Sequence, residues 1–356
     1  MRIAQIIDSL DAGGAERIAV NYANALSGVI ELSALVTTRK EGVLKENVCK
    51  NVHYLFLEKK LSLDFGAVFR LRTFLKRNKI DILHAHGTSF FIGALLKLVC
   101  PKIKLIWHEH YGARQKQKLT SNLILYFSSH FFSKIFVVNK DLENWMKQKL
   151  RFKKTYFIPN FASTASAEIA STFLKGEEGK RIVFLANLKN PKNHIAALNV
   201  FHNLNLKNRN WSLHLIGKDF QDHYSNELKS FIGKHNLSDS IYLYNSRNDI
   251  QNILSQSDIG ILCSTDEGFP VSLLEYGNAG IAVVSTNAGY CSSVIDDGEN
   301  GFLFDSGNTG DFELKLNEIV NKSTLRKRFA IHLHKKILQH FSEESVIQEL
   351  LLKYKH

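Results

Sequence analysis

Proline is scarce here, four in 356 residues, and three of the four, Pro159, Pro191 and Pro270, fall at a boundary or beside a polar turn. Such a composition excludes a proline-rich linker, and the ordinary aliphatic, aromatic and charged content excludes disorder and fibrous repeats. Four cysteines, Cys49, Cys100, Cys263 and Cys291, are scattered with no C-x-x-C pair. Neither a disulfide framework nor a cysteine zinc site is expected, and the sequons at Asn236 and Asn321 carry no meaning in that setting. Long apolar runs are missing too. The longest, Phe90 to Cys100, is interrupted by Lys97 and falls short of a membrane span, and the first residues meet Asp8 too soon for a signal-peptide core. A cytoplasmic protein is expected, and the length suits two ordinary domains.

Positive charge, by contrast, is abundant and uneven. Residues 1–159 hold 26 Lys and Arg against 12 Asp and Glu, a balance of +14, and the remainder holds 20 against 22, a balance of −2. Much of the excess lies at Lys97, Lys102, Lys104, Arg114, Lys116 and Lys118 and again from Lys147 to Lys154, beside Leu119, Leu123, Leu125, Tyr126, Phe127, Phe131 and Phe132. A basic surface next to an aromatic helix fits an anionic membrane, an anionic glycan or nucleic acid, or simply a solvated face over a core helix.

The apolar pattern alternates between strands and helices. Strands are expected at 2–9, 32–37, 53–57, 81–85, 104–107, 134–138 and 155–158, with helices at about 15–26, 65–77, 89–99, 119–132 and 141–149. This predicts a parallel sheet covered on both faces. A stretch from Phe161 to Gly179 without apolar period follows. A second series has strands at 181–185, 212–216, 241–244, 258–263, 282–285 and 301–304, helices at 193–204, 223–234 and 249–255, a helix from Pro270, and further helices to the end. The expectation is α/β: two facing doubly wound Rossmann-like domains, 1–159 and 160–340, with a cleft between them. The last residues, 341–356, read as an amphipathic helix from Glu343 to Lys353.

The chemically richest stretch is Cys263-Ser-Thr-Asp-Glu-Gly-Phe-Pro-Val-Ser-Leu-Leu-Glu275. A buried strand meets a turn at Gly268, and Pro270 opens a helix at the first-turn position proline prefers. A helix start at the carboxyl edge of a sheet suits a phosphate. Glu267 stands at its mouth, and Glu275 lies roughly 7 to 8 Å further on at about 1.5 Å per residue. Phe184 to His194 repeats the pattern, and Lys192 at that helix start is electrostatically awkward unless an anion faces it. The turn at Gly13-Gly14 follows the first strand and fits a phosphate or a sugar. Two H-x-H pairs, His84/His86 and His108/His110, end strands. No metal is expected from them, because the intervening Glu109 faces away and leaves no third ligand in view. A substrate hydrogen bond or a purely structural role remains for each histidine.

The spacing Glu267-x7-Glu275 resembles the signature of retaining glycosyltransferases of the GT-B fold, family 4. Gly13-Gly-Ala-Glu-Arg17, Ile158-Pro-Asn160, Ala186 to His194, Leu215-Ile-Gly217 and Gly289 to Phe304 fall in that family's order. By this resemblance Glu267 would contact the donor sugar and Glu275 the ribose hydroxyls. Lys192 and the segment Gly268, Phe269, Pro270, Val271 and Ser272 would hold the diphosphate, Gly13 and Gly14 would close over it, and the loop carrying Arg247 would contribute to the donor site. His110, with His108 and His86 as secondary candidates, would support charge at the anomeric carbon. The first domain would serve the acceptor and the second the donor, with the terminal helix crossing back onto the first.

The resemblance also implies no metal and no cofactor beyond a UDP- or GDP-sugar co-substrate, and the chain has no D-x-D motif. Many members carry Gly-Arg where Ala186-Asn187 stands, so Asn187 would give the phosphates a hydrogen bond but no charge. The expected partners are the nucleotide-sugar donor, a glycan or lipid-linked acceptor and, through the basic domain, the inner face of an anionic membrane. A sugar-nucleotide epimerase of the same architecture and a non-catalytic partner subunit are the alternatives, and nucleic-acid binding rests on charge alone.

Overall fold

The computed structural model describes residues 1–112, 114, 122–161 and 170–355. Two compact units divide the chain, Met1–Phe161 together with Glu343–His356, and Ala162–Ser342. The divisions expected from the sequence lie two residues earlier in each case, after 159 and 340.

In the first unit the elements run β1(Arg2–Ser9), α1(Gly14–Ser27), β2(Leu32–Lys40), β3(His53–Phe56), α2(Phe65–Arg77), β4(Ile82–His86), α3(Phe90–Val99), β5(Lys104–Glu109), α4(Leu123–Ser129), β6(Lys134–Val137), α5(Lys140–Gln148) and β7(Thr155–Phe157). All seven strands are parallel in the order β3-β2-β1-β4-β5-β6-β7. Residues of β1 such as Ile3, Ala4, Ile6 and Ile7 are buried, as a sheet covered by helices on both faces requires. Caps fix where helices begin: Asp64 accepts from the Ala67 amide at 2.8 Å and Asn139 from the Leu142 amide at 2.7 Å. The helix expected at 119–132 is shorter. Its residues 119–121 lie outside the described residues, as do Lys116 and Lys118, and Phe131 and Phe132 already belong to the turn after α4.

The second unit repeats the plan with β8(Arg181–Leu185), α6(His194–Asn203), β9(Ser212–Ile216), α7(His223–Lys234), β10(Ile241–Tyr244), α8(Ile250–Ser255), β11(Ile259–Leu262), α9(Val271–Asn278), β12(Ala282–Thr286), α10(Cys291–Val294), β13(Phe302–Phe304), α11(Thr309–Asn321) and α12(Ser323–His340). Its parallel order is β10-β9-β8-β11-β12-β13. Both sheets reverse their winding beside their first strand, between β1 and β4 and between β8 and β11. At such a switch point the loops leave in opposite directions and open a crevice at the strands' carboxyl ends.

The last helix, α13(Glu343–Lys355), buries Val346, Ile347, Leu350 and Tyr354 as part of the first unit. Among the described residues no helix is long and apolar enough to cross a membrane.

Candidate active site

A tyrosine in the second turn of α9 ties the helix to the sheet. Tyr276, fully buried, accepts from the Leu185 amide of β8 at 2.8 Å and donates to the Ile261 carbonyl of β11 at 3.2 Å. It therefore ties the helix to both strands of the switch point. Gly260 makes the room, since a Cβ there would stand 2.6 Å from the Tyr276 ring. Upstream of the helix, Thr265 donates its amide to the Pro191 carbonyl at 2.9 Å, and Thr286 donates its hydroxyl to the Ser264 carbonyl at 2.8 Å. Pro270 is the N-cap of α9 and not its first helical residue, a shift of one position. The Leu273 amide bonds back to the Pro270 carbonyl at 3.2 Å, which leaves the amides of Val271 and Ser272 at the open end of the helix beside Gly268 and Phe269.

Glu267 is nine-tenths buried there and takes the Lys192 ammonium at 2.6 Å. The anion that the sequence reading required opposite Lys192 is, in this structure, a carboxylate. Gly289 permits the close fit. Its φ is +55° and a Cβ would lie 1.8 Å from the Glu267 carbonyl oxygen, so any other residue is both strained and in collision. Nothing in the sequence alone gave Gly289 this role. Glu275 is buried on α9, while Arg247 lies in the loop after β10, its guanidinium 3.4 Å from the Ser246 carbonyl.

Asn187 joins two loops of the second unit. Its side-chain oxygen accepts the Lys218 amide at 2.8 Å, and Leu188 donates to the Lys218 carbonyl at 2.9 Å, so the β8 and β9 loops are stitched together. Gly217 allows this approach, because a Cβ would stand 2.1 Å from the Ala186 carbonyl oxygen. Lys218 thereby joins the same loop edge as Asn187, a cation the sequence reading missed although Leu215-Ile-Gly217 marks the turn before it. Beneath the loop, His194 stacks on Phe184 with centroids 4.4 Å apart and meets the Tyr224 hydroxyl at 3.1 Å. Burial pushes its imidazole down to about 4.

In the first unit Gly13 caps α1 with extended backbone, and a Cβ there would meet the Glu16 carboxylate at 2.2 Å. His86 lies on β4, His108 on its neighbour β5 and His110 just past the end of β5; His86 pairs in register with His108, and the His86 and His110 rings stack at 5.1 Å. His110 is partly accessible, whereas His86 and His108 are fully buried. Glu109 turns to the other face, where Arg114 holds its carboxylate and the Tyr111 amide donates to it at 2.8 Å.

A buried strand, an open helix start and an adjoining lysine–glutamate pair thus come together at a doubly wound switch point, the position at which open α/β sheets bind ligands. Residues 12–166 match Glycosyltransferase Family 4 and residues 166–334 match Glycosyl transferases group 1, so the chain belongs to the GT-B glycosyltransferases of this family. The O-antigen biosynthesis glycosyltransferase WbnH of Escherichia coli is 24% identical over 324 residues, 89% of each chain. An Escherichia coli UDP-Gal:alpha-D-GlcNAc-diphosphoundecaprenol alpha-1,3-galactosyltransferase is 24% identical over 300 residues, 78% of this chain and 74% of that one. Among solved structures, Anabaena HepE in complex with UDP and glucose superposes with a TM-score of 0.83 at 16% identity, covering 100% of this chain and 99% of that one. That last likeness establishes the fold.

Proposed function

We propose that this glycosyltransferase is a retaining, metal-independent hexosyltransferase that moves a sugar from a UDP- or GDP-sugar to a glycan or lipid-linked acceptor in cell-surface polysaccharide or lipopolysaccharide synthesis. The observation that carries the reading is the Lys192–Glu267 pair, 2.6 Å apart beside the open amides of Val271 and Ser272. A departing diphosphate needs positive charge that is already in place, and a lysine together with a helix start supplies it without reorganisation. Glu267 would receive the donor sugar's hydroxyls, Glu275 the ribose, and Phe269 to Ser272 the phosphates, with Arg247 and Asn187 at the loops around them. From the first unit, the Gly13–Gly14 turn would cover the diphosphate and His110 would support the developing positive charge at the anomeric carbon. The bond from that carbon to the phosphate oxygen breaks as the acceptor oxygen bonds on the same face, and the leaving phosphate takes the acceptor's proton. The O-antigen role of one Escherichia coli relative and the UDP-Gal donor and diphosphoundecaprenol-linked acceptor of the other support this choice of donor and acceptor classes.

The reading also places the protein in the cytoplasm at the inner face of an anionic membrane. The basic first unit and the exposed Leu123, Ile124 and Phe127 of α4 support that placement. A thermal-shift panel of nucleotide sugars tests the donor. The true donor at 100 times its dissociation constant should add about 2.7 kcal/mol of stability, and product NMR should show the donor's anomeric configuration kept. An inverted product rules out retention, and a changed donor formed without any acceptor makes the protein an epimerase.

A further inference from the structure

The histidines on the sheet face of the first unit form a cluster that the transfer reaction does not account for. His84 and His86 lie on β4 and His108 on β5, all three without solvent exposure. Their rings stand 4.5 Å (His84–His86), 5.3 Å (His84–His108) and 5.7 Å (His86–His108) apart. One ring nitrogen from each lies within 4.8 Å of the others. The third ligand missing from each H-x-H pair taken alone is thus supplied across the sheet, because residues two apart on adjacent parallel strands share one face.

Their hydrogen bonds are half complete in a particular way. Among the described residues, His84 Nε2 and both nitrogens of His108 are buried without a partner. The other nitrogen of His84, Nδ1, meets the Tyr354 hydroxyl of α13 at 2.6 Å, and His86 Nε2 meets Gln5 Oε1 at 2.8 Å. A side-chain oxygen that takes one imidazole N–H fixes the tautomer and turns the opposite lone pair inward, the usual outer arrangement of a metal-bound histidine. For His86 that lone pair is on Nδ1, which His110 Nε2 now approaches at 2.9 Å. Burial keeps all three imidazoles neutral, as ligands must be. Tyr22 of α1 covers the trio, its ring 5.9 to 6.0 Å from each of the three.

We propose that His84 Nε2, His86 Nδ1 and a ring nitrogen of His108 bind one zinc-class divalent ion, with Tyr354 and Gln5 orienting the first two. Ligand nitrogens about 2.0–2.1 Å from zinc stand about 3.4 Å apart in a tetrahedron, so the three nitrogens, now within 4.8 Å of one another, draw closer when the ion binds. A neutral three-imidazole set without carboxylate or thiolate selects Zn²⁺, Co²⁺, Ni²⁺ or Cu²⁺ over Mg²⁺ or Ca²⁺. The ion sits in the core of the first unit, and its role is to brace β4, β5 and α13.

The full chain, stripped with chelator and titrated with Co²⁺, should take up one equivalent with the intense visible absorption of tetrahedral cobalt, and Zn²⁺ should displace it. His108→Gln should abolish the band, and Tyr354→Phe should weaken binding by about 10–100-fold. His235→Asn should leave the band intact, since it removes a second-unit histidine whose ring packs at 4.3 Å from those of His202 and Phe231. No stoichiometric band, a band that survives His108→Gln, or one lost in His235→Asn overturns the proposal. Should His108→Gln fail to fold, Tyr354→Phe decides, and unchanged cobalt affinity in that variant overturns it.

Discussion

Glu267 and Lys192 hold each other in place, so removing either should cost chemistry far more than stability. Glu267→Ala should lower turnover by about 10²-fold or more, by analogy with the loss of a preorganised polar contact to the transition state. Its unfolding midpoint should stay close to that of the parent, since the lysine left behind is a quarter exposed and can be solvated. Unchanged turnover removes Glu267 from the reaction. His194 makes the opposite case, structural and not chemical. Its folded imidazole titrates near 4 because it is buried, whereas the unfolded one titrates near 6.5. Between those values the unfolded chain binds the extra proton, so stability is complete above about pH 6.5 and falls as pH drops towards 4. The loss approaches about 3 kcal/mol at its largest. Urea midpoints measured across that range should show the slope in the parent and a shallower one in His194→Gln; equal slopes assign the acid sensitivity elsewhere.

The helix α9 is placed by packing and backbone hydrogen bonds more than by its own sequence. It has no side-chain cap, and its position depends on Tyr276 reaching two strands and on Gly260 leaving room for the ring. Gly260→Ala should therefore destabilise the second unit by about 1–3 kcal/mol through overpacking. Because the same displacement moves Val271 and Ser272, it should weaken donor binding as well. Tyr276→Phe, which leaves the Leu185 amide without its partner, should destabilise by about 1–3 kcal/mol. Calorimetry with nucleotide-sugar titration checks both, and a Gly260→Ala protein of parental stability and affinity shows that the ring has another place to go. The alternating apolar runs made the strands and helices legible to within a few residues, because a strand buried on both faces and an amphipathic helix differ in period. Pro270, Glu267 and Lys192 were legible because a strand, a turn and a helix start adjoin in sequence. The part of Gly289, the stitching role of Asn187 and the joining of two H-x-H pairs into one cluster were not. Each depends on which strands are neighbours, or on how close two backbones approach, and neither is written in local pattern.

For the chain as a whole, the distribution of charge matters more than its sum. On the proposed reading, an excess of +14 in residues 1–159 against −2 in the rest would turn the first unit towards an anionic surface. In that unit α4 exposes Leu123 at 53%, Ile124 at 61% and Phe127 at 67%. Neither feature suffices alone: basic residues attract an anionic surface within about a Debye length, roughly 8 Å at physiological salt, and a few apolar side chains bury little area. Together they would give reversible attachment of the kind that combines charge with shallow insertion. The protein should co-sediment with vesicles rich in phosphatidylglycerol and remain in solution with phosphatidylcholine, and 0.5 M salt should release most of it. Replacing Ile124 and Phe127 by glutamate should reduce binding to the anionic vesicles by about tenfold, the effect of roughly 1.4 kcal/mol, while leaving affinity for the nucleotide-sugar donor unchanged. Binding that is indifferent to lipid charge, or that survives both substitutions at full strength, assigns this face to something other than a membrane.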